Sequence, residues 1–264
     1  CVSIEHKLGI KASPTAVLQF GDHGGAVGYL VGQENQGLAY MFVMMNAARY
    51  AVGMQGVAVA ERAYQRAVAY ARDRVQSRPV DGSLPAAAPI IHHPDVKRML
   101  MTMRAYTEAC RAMALVAAAA YDAAHAHPDA EVRQQNQAFY EFVVPLLKGY
   151  ATETSLEVTN LGVQVHGGMG YIEETGAAQY YRDAKILTIY EGTTAIQAND
   201  LVGRKLAREK VPGAAMKALI AEMSADAEVF AGNAQLAGIA AHLKNGINAL
   251  STAADWIVAN YEAN

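Results

Sequence analysis

With 264 residues, 52% of them hydrophobic, the chain can bury a sizeable core, which excludes a disordered protein. A formal net charge of −3 with 18% charged residues leaves no broad positive potential, so nucleic acid and membrane surfaces drop out as partners. Cys1 and Cys110 stand far apart with no ligand spacing, which excludes a disulfide framework and a metal site and fits a reducing, cytoplasmic setting.

The opening Cys1-Val-Ser-Ile-Glu-His6 has no initiator Met and reads as the interior of a domain, which predicts that more chain precedes it. Thr15–Phe20 and Ala26–Val31 are short β-rich runs around Gly21-Asp-His-Gly-Gly25, a hairpin pattern, and two strands alone are marginal, so they are expected to finish a sheet begun upstream. From Gly37 the period changes to about 3.6, with Leu38, Met41, Phe42, Met45, Ala48, Val52, Gly56, Val59, Ala63, Ala67 and Tyr70 on one face, predicting a long helix to about Gln76. Pro79, Asp81-Gly82 and Pro85 to Pro89 read as a loop. A second helix is expected from His93-Pro94 to about His125, and a third from about Ala130 to Gln164 with Pro145 as a possible kink. Shorter helical stretches follow near 175–187 and 194–208, and the Ala-rich remainder to Asn264 reads as one or two more helices. The expected fold class is mainly α: 1–35 the end of a β-domain, 36–208 a helical bundle, 209–264 a helical extension.

Two segments carry candidate chemistry. Gln164-Val-His-Gly-Gly-Met-Gly-Tyr171 has three glycines in four residues between helices, which suits either a backbone cradle for a phosphate-bearing cofactor or a tight inter-helix turn. Ile189-Tyr-Glu-Gly-Thr-Thr-Ala-Ile-Gln197 puts Glu191 just before a helix start capped by Thr193 or Thr194. Such a Glu is commonly a solvated residue at a helix N-terminus, but Leu187, Ile189 and Ile196 give this one an apolar setting of the kind that suits a general base. His92, His93 and His166 lack companions at metal-ligand spacing and are expected to make core or loop hydrogen bonds. The methionines at 41, 44, 45, 54, 99, 101 and 103 read first as adaptable bundle core, and second as the lining of a pocket for an apolar ligand.

Together, Gln-x-x-Gly-Gly-x-Gly-Tyr (164–171), Tyr-x-Arg-Asp-Ala-Lys-Ile (180–186) and Ile-Tyr-Glu-Gly-Thr (189–193) closely resemble the acyl-CoA dehydrogenase family, with the likeness running from about Lys7 to Arg208. The His93–Lys97 pattern and the tail beyond Arg208 are similar to the larger subgroup that carries a C-terminal extension and includes the 3-methylmercaptopropionyl-CoA dehydrogenases.

The resemblance implies an FAD enzyme that oxidises an acyl-CoA thioester to a trans-2-enoyl-CoA, with Glu191 as the base for the α-proton and Tyr190 and Gly192 beside the substrate. It implies Asn46 and Arg49 as holders of the CoA portion, against a salt-bridge role for Arg49 in the bundle. It assigns Arg74, Gln164, Gly167, Gly168 and Thr193 to FAD, Arg74 across a subunit interface. Ser77-Arg78 stands where many members have Phe-Gly, Pro94 where a Gln is common, and Ala195 replaces another flavin contact, which thins the cross-subunit site. Electron-transfer flavoprotein is the implied electron acceptor and a dimer or tetramer the implied assembly; an acyl-CoA oxidase and a non-catalytic helical oligomerisation module are the alternatives.

Overall fold

A computed structural model describes residues 1–261. Two short strands, β1 (Ser3–Ile4) and β2 (Ala16–Val17), precede eight α-helices: α1 (Gly37–Asp73), α2 (Pro94–Ala126), α3 (Ala130–His166), α4 (Gly168–Tyr171), α5 (Ala177–Lys185), α6 (Thr194–Asn199), α7 (Ala214–Ala231) and α8 (Ala237–Asn260). The fold is mainly α, as its periodicity predicts. Pro145 lies inside α3, which continues through it. A π-helical stretch, Asp200–Ala207, follows α6.

The expected hairpin of 15–20 with 26–31 does not form. β2 instead pairs antiparallel with upstream β1 in the register Ser3 with Val17 and Ile4 with Ala16, extended by Val2 N–H to the Val17 carbonyl and Glu5 N–H to the Thr15 carbonyl, both 2.8 Å. The Gly-rich loop explains the miss: Gly24 and Gly25 both adopt φ of 95°, and a flexible glycine loop fixes no register for the strand after it. Residues 26–31 stay exposed.

The chain divides into two compact units, Cys1–Leu115 with Leu147–Thr194, and Val116–Leu146 with the residues from Ala195 onward. In the first, the core is built from Ala60, Ala63, Ala67 and Ala71 of α1, Met99, Leu100 and Met103 of α2, and Val158 and Val165 of α3. Small side chains at three- and four-residue spacing let α1 approach its neighbours closely. At Gly56 an added Cβ would fall 2.7 Å from the Ala151 carbonyl oxygen, so only glycine permits this α1–α3 approach. Of the methionines, Met99 and Met103 are core, whereas Met41, Met44 and Met101 are exposed.

The N-terminal segment docks on α5. The Ile10 N–H donates to Asp183 Oδ1 at 2.6 Å, and a Cβ on Gly9 would meet the Arg182 carbonyl oxygen at 2.5 Å. In the second unit Phe142 of α3 packs with Leu206, Met216 of α7 and Ala254 of α8. No helix among the described residues is long and apolar enough to cross a membrane.

Candidate active site

The chain arrives at Glu191 from α5 through a 3-10 turn, Ile186–Thr188, whose Leu187 and Thr188 are buried. The Ile189 and Tyr190 N–H groups both donate to the Ile186 carbonyl, at 2.9 and 3.0 Å, and end the turn. Glu191 then adopts φ 54° and Gly192 φ 88°, two left-handed residues in succession, before α6 starts at Thr194. Left-handed backbone costs glycine nothing but costs a residue with a side chain about 1–2 kcal/mol. Such strain persists only where the surroundings over-determine it.

Three side chains brace this turn. Lys148 of α3, with a side chain of 0% relative exposure, donates from Nζ to the Gly192 carbonyl oxygen at 2.6 Å. A short hydrogen bond from a charged donor contributes about 1.5–3 kcal/mol, enough to offset the backbone strain at Glu191. The Tyr190 hydroxyl donates to the side-chain oxygen of Gln55 on α1, and Thr194 Oγ1 donates to Glu153 Oε1 of α3 at 2.5 Å. Burial lowers the pKa of the Lys148 ammonium and the Arg49 charge adds to that, while Glu153 and Glu191 act the other way. Burial likewise pushes the Tyr190 phenol up; its bond to Gln55 opposes the shift and the Glu191 charge reinforces it.

Glu191, Tyr190 and Gly192 are therefore half-buried on a turn pinned between α1 and α3. Arg49 lies on the same stripe of α1 as Gly56, is 5% exposed, and is near enough to Lys148 to act on its charge. Asn46, one turn earlier, is half-buried. Thr193 is exposed at the start of α6.

The remaining residues singled out in the sequence gather elsewhere. Tyr70 near the end of α1 stacks on His166 at the end of α3, with ring centroids 4.3 Å apart, so Arg74, one turn beyond Tyr70, lies at the end of the bundle where Gly167 and Gly168 leave α3. The Arg74 backbone is fixed from both sides, its N–H bonded to the Tyr70 carbonyl and its carbonyl accepting from the Ile90 N–H. Its side chain, Gln164, Gly167 and Gly168 are all exposed. Sixteen residues of α3 separate Lys148 from Gln164, about 24 Å along the helix.

Gly167 sits at φ 60°, ψ −140°, which a side chain would strain, whereas Gly168 has open space where a Cβ would stand. The turn thus needs Gly167 for its own sake but leaves Gly168 free for close approach by a ligand. An exposed guanidinium, an amide and an unobstructed glycine backbone at one end of the bundle fit a phosphate-bearing cofactor such as FAD. His166 donates or accepts through Nδ1 with the Gly162 carbonyl at 2.7 Å, and His93 Nε2 with the Gln76 carbonyl at 2.8 Å.

Sequence reasoning overlooked Lys148, Gln55 and Glu153. Lys148 had a signal: it is the single charge in the apolar run Phe142-Val-Val-Pro-Leu-Leu-Lys-Gly149, where a lysine must be buried or snorkel. Gln55 and Glu153 are unremarkable polar residues on helices, and only the fold brings them to the turn.

Comparison with known proteins bears on this geometry. The family model of the acyl-CoA dehydrogenase C-terminal domain matches residues 35–207. A 3-methylmercaptopropionyl-CoA dehydrogenase of Ruegeria pomeroyi is 57% identical over 261 residues, 98% of this chain and 43% of the relative. The broad-specificity linear acyl-CoA dehydrogenase FadE5 of Mycobacterium tuberculosis is 38% identical over 242 residues, 89% of this chain and 39% of the relative. The structure of butyryl-CoA dehydrogenase from Megasphaera elsdenii superposes with a TM-score of 0.60 at 28% identity, covering 76% of this chain and 47% of that one. The chain thus spans less than half the length of these relatives.

Proposed function

This chain belongs to the acyl-CoA dehydrogenase family, and from that membership and the braced turn at Glu191 we propose that it supplies the catalytic base and part of the substrate and flavin sites of an FAD-dependent acyl-CoA dehydrogenase. The observation that carries the reading is the position of Glu191, half-buried and in left-handed backbone, on a turn clamped by a buried lysine whose charge feels both Glu191 and Arg49. A Glu serving only as a solvated helix-end residue needs neither the strain nor the clamp.

In this reading a Glu191 carboxylate oxygen accepts the α-proton of the acyl thioester. The Glu191 backbone N–H donates to the thioester carbonyl and stabilises the charge that develops there. Tyr190 and Gly192 border the acyl group, while Asn46 and Arg49 hold the CoA portion. FAD, when bound, supplies the oxidising power by accepting hydride from the β-carbon, and the product is a trans-2-enoyl-CoA. Thr193 would hold the flavin of its own subunit, and Arg74, Gln164, Gly167 and Gly168, at the end of α1 and α3 away from Lys148, that of a partner copy in a dimer or tetramer. Electron-transfer flavoprotein would be the acceptor that reoxidises the flavin.

The test is Glu191→Gln in the FAD-loaded holoenzyme. Bleaching of the flavin by acyl-CoA should fall by about 10² to 10⁴, the scale of a general base, with FAD still bound. Near-normal bleaching removes Glu191 from the mechanism, and stoichiometric oxygen uptake by the unmodified enzyme assigns an oxidase instead.

A further inference from the structure

We propose that Lys148 is a positioning residue for the Glu191 carboxylate, its ammonium clamping the Gly192 carbonyl so that Glu191 is held in the left-handed conformation that aims it; this rests on the reading of Glu191 as the base.

An ammonium is costly to bury, and buried lysines ordinarily meet a carboxylate directly. Lys148 does not. Among the described residues its one hydrogen-bond partner is the carbonyl oxygen of Gly192, 2.6 Å away and 44 positions along the chain. That carbonyl is the first acceptor after the Glu191 peptide, so the bond fixes the far side of the residue whose backbone is strained.

The near side is fixed independently. Tyr190 is tied to Gln55 on α1, and Thr194 beyond the turn to Glu153 on α3. The turn is therefore suspended from both helices, and those helices are locked together by the close approach at Gly56 and Ala151. Of the three helix side chains in this suspension, Lys148 is the one that is fully buried, and its bond falls on the residue next to Glu191.

Charges of both signs surround it. Arg49 from α1 faces Lys148 with like charge, and Glu153 from α3 and Glu191 from the turn face it with opposite charge. Removing the ammonium takes away one positive charge together with the hydrogen bond, and the hydrogen bond is the part of it that touches the turn. The structure then predicts a loss of aim: the substrate still binds, but the carboxylate no longer sits over the α-carbon.

The experiment compares Lys148→Met, Glu191→Gln and the double variant in FAD-loaded holoenzyme. Lys148→Met should lower turnover by roughly 10²-fold, as an ångström-scale misplacement does, while the Michaelis constant for acyl-CoA changes less than threefold. With a bound 3-thiaacyl-CoA, which can lose its α-proton but has no β-hydride to give, the long-wavelength charge-transfer band should weaken. In the Glu191→Gln background Lys148→Met should have no further effect on the residual rate.

Unchanged turnover and an unchanged band in Lys148→Met, with Glu191→Gln inactive, overturn the positioning role and leave the base intact. A fully active Glu191→Gln overturns the base reading, and the clamp with it. If Lys148→Met does not load FAD, Lys148→Gln takes its place: its amide nitrogen is one bond short of the Gly192 carbonyl, so turnover should fall to an intermediate level, and wild-type turnover in that variant sinks the proposal.

Discussion

The rings of Tyr70 and His166 stack 4.3 Å apart, joining the end of α1 to the end of α3 directly beside the glycine-rich turn. His166 is buried, and burial lowers its pKa below the usual histidine value; its bond to the Gly162 carbonyl opposes the shift and the Arg66 charge adds to it. The folded state therefore holds the proton more weakly than the unfolded chain. The stabilisation is complete above the unfolded value of about 6.5 and is lost as pH falls through and below it. Between pH 7.5 and 5.5 the denaturation midpoint should fall further in the parent protein than in His166→Phe, which keeps the ring contact but carries no titrating group. Equal falls would show that His166 takes no part in acid sensitivity.

The two leading glycines of the same turn should separate by substitution. Gly167→Ala places a side chain at φ 60° and ψ −140°, and the melting temperature should drop in apo and holo protein alike, by the equivalent of about 1–3 kcal/mol. Gly168→Ala meets nothing within 4 Å and should leave the apo melting temperature unchanged. If Gly168 borders the cofactor, its alanine variant should instead lose flavin on gel filtration, read as the ratio of flavin to protein absorbance. Full flavin retention in Gly168→Ala would take this turn out of the cofactor site.

Arg49→Ala should raise the Michaelis constant for acyl-CoA by about 10- to 100-fold, the worth of one lost charged hydrogen bond, and reduce turnover less. A fall in turnover at constant Michaelis constant would place Arg49 with Lys148 in supporting the turn, a possibility its burial makes specific.

Much of the fold was legible because α1, α2 and α3 are long and strongly periodic: their ends lie within three residues of those expected from Gly37, Pro94, Ala130 and the breaks that follow. The strand pairing was not legible. Val2 and Ile4 offer a β-branched partner as good as Ala26–Val31, and local pattern does not say which of two candidates a strand will choose. At the candidate site, the Tyr-Glu-Gly-Thr run pointed to Glu191 through motif alone, whereas Lys148, Gln55 and Glu153 reach its turn from 38 to 136 positions away in sequence, separations that no pattern on one helix records. The burial of Arg49 was equally hidden, because its neighbours on the helix are small residues whose packing partner lies on α3.

The seat of Gly9 against the Arg182 carbonyl has a consequence for anyone exchanging parts between family members. A chimaera that grafts a foreign N-terminal portion onto this bundle would naturally be cut in the loop between β1 and β2, far from any motif. That cut crosses a joint rather than a linker: position 9 has no room for a side chain, and the Ile10 amide next to it needs the Asp183 carboxylate as its acceptor. The graft and the Arg-Asp pair form a matched seam, so a donor segment without glycine at this place should push α5, and the Glu191 turn eight residues beyond Asp183, out of register.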